Sequence, residues 1–242
     1  MNRKKVANQE GHTVSEIKLP LKSFVNLDGI FQAAKFSAPD VFSYLGKDLG
    51  AWLDALLNEF GVNDQPVVAG TVHEGAWLSG RVYVAKGALV EPAAYIQGPC
   101  FIGPDAEIRH GAYIRGNVYV GARAVVGHTS EVKGSVLMDD AKAAHFAYVG
   151  DSFLGRHVNL GAGTKLANLK LKGDEVRFRD PATGLPVASG LRKFGAIMGD
   201  YSQTGCNAVL SPGTLMMPGA TIMPCVHGHG IIKSPHVAKI PK

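Results

Sequence analysis

Between Lys133 and Asn168 the chain reads KGSVLMDDAKAAHFAYVGDSFLGRHVNLGAGTKLAN. Within that span stand an imidazole (His145), a phenol (Tyr148), two amides (Asn159 and Asn168) and an ammonium (Lys133). Groups of these types exchange protons near neutral pH, donate and accept hydrogen bonds and hold anions. They are concentrated where the surrounding repeat falters, which is how a scaffold presents a site, and the stretch is expected to be an active site.

The repeat that leads into it is regular. Stepping by six from Val72 gives Leu78, Val84, Val90, Ile96, Ile102, Ile108, Ile114, Val120, Val126, Val132 and Met138, all apolar. Two residues ahead of most of them lies a small side chain, as at Gly70, Ala88, Cys100 and Ala124. A period of six fits neither a helical face nor a simple pleated strand. It fits the flat sides of a mainly β, prism-shaped parallel β-helix whose coils stack about 4.8 Å apart. The register is expected to break near His145, between Ala144 and Leu154, and to resume at Leu160 and Leu166. The chain then leaves the prism for a hairpin excursion over 168–195, around a Lys172-Gly173-Asp174 turn, and returns at Met198, Thr204, Leu210, Met216 and Ile222. The β-helix is thus expected over 67–226, with 227–242 as a tail in which His227 and His229 form a solvated turn rather than a metal site.

Ahead of the prism, residues 1–66 read as a short N-terminal helical region behind a docking arm. Residues 1–36 are mixed and polar. From Ser37 or Asp40 to Gly61 the apolar residues Val41, Tyr44, Leu45, Leu49, Trp52, Leu53, Leu56, Leu57 and Phe60 fall at helical spacing, with an interruration-prone stretch from Gly46 to Gly50.

The 242 residues carry a formal charge of +5 and are 46% hydrophobic. No apolar run is long enough to span a bilayer and the basic N-terminus has no apolar signal region, so a cytoplasmic location and no membrane are expected. The positive charge is spread without an arginine-rich run, which points away from nucleic acid and suits small anions such as phosphates. Cys100, Cys206 and Cys225 are far apart and are expected to be free thiols.

The tandem hexapeptide pattern resembles the hexapeptide-repeat acyltransferases, and the resemblance implies left-handed coils and a homotrimer. HFAYVGDSFLGRHVNLGAGTKLAN together with GLRKFGAIMGD, within residues 96–223, resembles the acetyltransferase domain of the bifunctional sugar-1-phosphate nucleotidylyltransferase/acetyltransferases. That resemblance implies acetyl-CoA-dependent N-acetylation of an amino sugar 1-phosphate, with no metal needed for the transfer. By it His145 matches the catalytic base, and Asn168 lies near the reacting centre as a partner for the amine or the oxyanion. Arg115, Lys133 and, across the excursion, Lys193 match residues that hold the sugar phosphate; Tyr148 and Asn159 match residues that bind the amino sugar. Cys206 replaces a serine placed near acetyl-CoA. In a trimeric prism the pocket is expected to lie in a cleft between subunits.

The sequence also departs from that family. Leu169 stands where bacterial members have tyrosine, and Asp174 and Arg177 stand at archaeal-type lysines. Nothing before residue 66 resembles a Gly-rich nucleotide-binding domain, so the chain is expected to lack the nucleotidylyltransferase half. A non-catalytic β-helix serving oligomerisation or sugar-nucleotide sensing is the alternative function. A γ-type carbonic anhydrase needs three histidines around zinc. His73 and His110 are suitably separated, but position 115 is arginine, and His110 and His128 stack on one face without a third partner.

Overall fold

The computed structural model describes residues 18–234 and the strand Val237–Ala238; the first part of the N-terminal arm and the end of the tail lie outside the described residues. Among the described residues the chain forms three parallel sheets of nine, nine and eight strands and a separate two-stranded hairpin; leaving the hairpin out, each prism strand pairs with the prism strand three places further along the chain. This is a left-handed β-helix of about nine turns. The first face begins at Val67–Val68, the second at Thr71–Val72 and the third at Trp77–Ser79.

The six-residue rhythm is the rule of the interior. Val84, Val90, Ile96, Ile102, Ile108, Ile114, Val120, Val126 and Val132 all lie in the inner core. One β-branched or aliphatic side chain from each side fills the narrow prism, so each coil buries three of them.

The register does not break at His145 itself: one shortening falls ahead of it, and the second falls within the expected span from Ala144 to Leu154. After Val132 the next inner residue is Leu137, and after Val149 it is Leu154, five residues on instead of six. Met138, expected inside, packs in an outer cluster. Both short sides turn the same corner, from the third face to the first, at Lys133-Gly134-Ser135 and Gly150-Asp151-Ser152. The sequence rhythm hides this because Leu137 and Met138 are both apolar and either could fill the register. Serine hydroxyls close the shortened corners. Ser135 Oγ donates to the Lys133 carbonyl (2.7 Å) and accepts from the Ser152 N–H (3.0 Å). Ser152 Oγ donates to the Gly150 carbonyl (2.8 Å) and accepts from the Ala196 N–H (3.0 Å). Both serines are fully buried, where an unpaired backbone group would be costly.

The N-terminal region is more than an arm. From Leu19 onward it builds a second core against the outer side of the first face, where Phe101, Tyr119, Phe153 and Ile197 meet Phe24, Phe36, Tyr44 and Leu53. Asp40 caps a 3-10 turn over Val41–Tyr44, accepting from the Phe42 N–H at 2.9 Å. The α-helix, α1, runs Gly46–Glu59 and buries Leu49, Leu53, Leu56 and Leu57. The interruption expected near Gly46 is the joint between these two helical pieces.

The excursion holds an antiparallel hairpin of Arg177–Arg179 with Pro186–Ala188. Its turn is Asp180–Gly184, where the Asp180 carboxylate accepts from the Ala182 N–H at 2.8 Å; Gly173 forms a separate, earlier turn. Past residue 226 the prism continues, because His227–Gly228 and Ile231–Ile232 pair onto the third and first faces. His227 therefore lies in a strand, with its Nε2 2.7 Å from Ser211 Oγ, and not in a solvated turn.

Candidate active site along the third face

Apart from Asn159, the sequence-derived site residues fall into two groups on opposite edges of the third face. One edge is the shortened corner. There Lys133 Nζ lies 2.8 Å from Asp151 Oδ2, and Asn168 Nδ2 donates to the same carboxylate oxygen. Tyr148 Oη donates to Asn168 Oδ1 at 3.3 Å, so the phenol lies along the face toward this edge. Gly150 makes this approach possible: a Cβ there would come within 2.7 Å of both Tyr148 Oη and Asn168 Nδ2. Gly134, at φ +55°, is likewise placed so that a Cβ would meet Asp151 Oδ1 at 2.6 Å.

The ends of the excursion bring in Lys193. Leu169 and Lys193 form an antiparallel bridge where the chain leaves and rejoins the prism. The Phe194 N–H donates to the Asn168 carbonyl (2.9 Å) and the Gly195 N–H to the Asp151 carbonyl (2.9 Å). As a result Arg115, Lys133 and Lys193 all line one cleft of about 500 Å³. Arg115 is held by Glu131 at 2.7 Å, and that pairing keeps its guanidinium firmly protonated. Burial, reinforced by the Glu131 and Asp151 carboxylates, raises the Tyr148 phenol above its usual range, so it is a neutral hydrogen-bonding group.

The other edge is the corner from the second face to the third. His145 ends the strand Lys142–His145 and is exposed. Register pairing places it one coil from His128. The His128 ring stacks on His110 at 5.8 Å and meets Phe146 edge-on at 5.2 Å. Asn159 pairs with Lys142 and Gln203 on the exposed side of the second face, so it does not join Tyr148 within this chain. The same pairing carries the His145 column through Ala162 to Cys206, an exposed free thiol two coils on, about 10 Å at the sheet spacing. The strand Tyr148–Gly150 separates the two edges, a span of about 10 Å at 3.3 Å per residue.

Asp151 is the site residue that the sequence reading missed. It is almost fully buried and connects Lys133 to Asn168. Counting along the chain does not find it: the register pairs Lys133 with Gly150, and Asp151, one residue further, reaches Lys133 only because the shortened corner turns its carboxylate back toward the lysine. The charge reversal at Asp174 is neutralised locally, because Lys170 Nζ lies 2.6 Å from its carboxylate. Among the described residues no three His, Cys, Asp or Glu side chains are grouped to hold a metal ion. No helix among them is long and apolar enough to cross a membrane.

The prism of six-residue sides is that of a hexapeptide-repeat left-handed β-helix, and its central coils are similar to the C-terminal domain of GlmU-type proteins. Residues 96–183 match the family model described as the GMPPB C-terminal domain. The chain is similar to the bifunctional sugar-1-phosphate nucleotidylyltransferase/acetyltransferase of Sulfurisphaera tokodaii, at 40% identity over 89 residues, 37% of this chain and 22% of that protein. It is also similar to the bifunctional protein GlmU of Methanococcus vannielii, at 40% identity over 78 residues, 32% of this chain and 18% of that protein. The match thus spans about a fifth of the length of these relatives. The solved UDP-N-acetylglucosamine acyltransferase from Campylobacter jejuni aligns at 16% identity and a TM-score of 0.42, covering 66% of this chain and 68% of that one.

Proposed function

We propose that this chain is an acetyl-CoA-dependent N-acetyltransferase acting on an amino sugar 1-phosphate. The observation that carries the reading is the convergence of Arg115, Lys133 and Lys193, from two successive coils and the far end of the excursion, on one cleft. Arg115 and Lys133 each have one carboxylate partner, while Lys193 has none among the described residues, so the cleft keeps a positive excess that suits an anion. The phosphate belongs at this edge.

The amine belongs toward the opposite edge, near His145. A hexose with its amine and phosphate on adjacent carbons bridges most of the intervening strand once a hydrogen bond is added at each end. At neutral pH the substrate amine is largely ammonium, and His145 takes its proton. The nitrogen then forms the bond to the acyl carbon, the carbon–sulfur bond breaks, and the proton that the nitrogen sheds on becoming an amide goes to the departing CoA sulfur. Asn168 commits one amide N–H to Asp151 and its carbonyl to Tyr148. Its role is therefore to position those groups more than to contact an oxyanion. Cys206, two coils from His145 on the same corner, suits the region where the CoA arm would run.

An exposed apolar strip on the same face supports assembly into a trimer. Trp77 (61% exposed), Tyr95 (43%) and Tyr113 (40%) form a bare aromatic ladder along the third face, and packing it against a second copy would enclose the His145 edge. The test is CoA release with glucosamine 1-phosphate and galactosamine 1-phosphate. His145→Ala is expected to lower turnover by about 10²–10⁴-fold while sugar-phosphate binding persists. No turnover with either sugar in the wild-type protein would favour the non-catalytic alternative and sink the proposal.

A further inference from the structure

The cleft at the shortened corner holds more positive charge than three phosphate ligands account for. Lys47 and Arg192 line it together with Arg115, Lys133 and Lys193, and Asp151 is the one carboxylate among its lining residues. Asp151 pairs with Lys133, and Glu131, beside the cleft, pairs with Arg115. Lys47, Arg192 and Lys193 pair with no carboxylate among the described residues.

The placement of Lys47 is fixed by packing. It sits in the first turn of α1, whose Leu49 and Leu53 are fully buried against the prism. Gly46 adopts φ +56°, and a Cβ there would stand 3.0 Å from Leu191 of the excursion. A Cβ at Gly50 would stand 3.3 Å from the Asn117 side chain at the prism corner. The first turn of α1 is thus wedged between the returning excursion and the Gly116–Asn117 corner, which carries Lys47 to the cleft. Arg192 is anchored from the other side, its Nε donating to the Gly173 carbonyl at 2.9 Å.

We infer that Lys47 and Arg192 are further anion-binding residues of this cleft, so that the N-terminal helix forms one wall of the phosphate site. The inference rests on the reading of the cleft as a phosphate site. Three cations without carboxylates create a positive potential in a concave, partly protein-walled space. The ligand that satisfies it is a doubly charged phosphate monoester. Lys47 adds a mobile point charge, and Arg192 adds donors in a fixed fork.

The experiment is calorimetric titration of the full chain with glucosamine 1-phosphate and with inorganic phosphate. The proteins are the wild type, Lys47→Ala, Lys47→Arg, Arg192→Ala and Lys133→Ala, with acetyl-CoA binding measured in parallel. Lys47→Ala and Arg192→Ala are each expected to weaken both phosphates about fivefold, the upper range for a solvent-accessible charge contact. Lys47→Arg should restore most of the loss, and acetyl-CoA affinity should not move, which a general disturbance of the fold would not produce. If Lys47→Ala and Arg192→Ala bind like the wild type while Lys133→Ala is weakened, the cleft takes phosphate without them and the inference is wrong. If the wild type binds neither phosphate, or Lys133→Ala binds as well as the wild type, the phosphate reading itself fails and this inference falls with it.

Discussion

Asp151 organises the corner cleft, since one carboxylate oxygen serves both Lys133 and Asn168. Removing it by Asp151→Ala leaves Lys133, only 19% exposed, without its partner. The expected cost is about 1–3 kcal/mol of stability, measured by chemical denaturation, with a higher KM for the sugar phosphate. Gly150→Ala tests the same corner sterically. Its new Cβ would collide with Tyr148 Oη and Asn168 Nδ2, both 2.7 Å away, and should separate them at a cost of about 1–3 kcal/mol. A normal KM in that variant would show that the Tyr148–Asn168 contact does not shape the sugar site.

At the scale of elements, two features decide where these residues meet. The shortened corners depend on Ser135 and Ser152, and Ser152→Ala removes an acceptor from the Ala196 N–H in a fully buried position. A loss of about 1–3 kcal/mol is expected in thermal or denaturant unfolding. The second feature is α1, held to the first face by buried leucines. Leu53→Ala should cost about 2–5 kcal/mol, and increased hydrogen exchange should concentrate in residues 19–62 if that segment loosens before the prism does. Asp139 and Asp200 reinforce the attachment from the prism side, accepting from the Phe31 N–H (2.9 Å) and the Asn26 N–H (2.9 Å).

For the whole molecule, the pH response combines opposing carboxylates. The Arg123 guanidinium, hydrogen-bonded to Asp140, holds that carboxyl below its ordinary value of 3.8. Its contribution is therefore fully present above that pH and is lost as the pH falls through the depressed value. Asp200 has the opposite sign: burial raises its carboxyl, so its contribution is present below pH 3.8 and fades as the pH rises through the raised value. Asp140→Asn should flatten the decline of stability on acidification below about pH 4, which a denaturation series across that range would detect. Assembly belongs to this scale too. Light scattering is expected to give three times the 25.6 kDa chain mass, and a charged replacement of Tyr95 in the aromatic ladder should lower it.

The sequence by itself determined the prism, because a narrow interior accepts one aliphatic side chain per six residues and that demand is written directly into Val84 through Val132. It also named Arg115, Lys133 and Lys193, three of the residues that line the corner cleft. It could not place the corner, since Leu137 and Met138 satisfy the apolar pattern equally, and only the hydrogen bonds of Ser135 and Ser152 select Leu137 for the interior. It could not place Lys47 or Arg192 either: their neighbours lie 60 or more residues away or across the excursion, and side chains so separated meet only through packing. Tertiary structure alone decided that Lys133, Asp151, Asn168 and Lys193 share one edge of the face while His145 and Cys206 share the other. That outcome depends on accumulated coil lengths: each residue missing from a corner shifts by one the sequence position that fills every later place in a column, although the columns themselves continue.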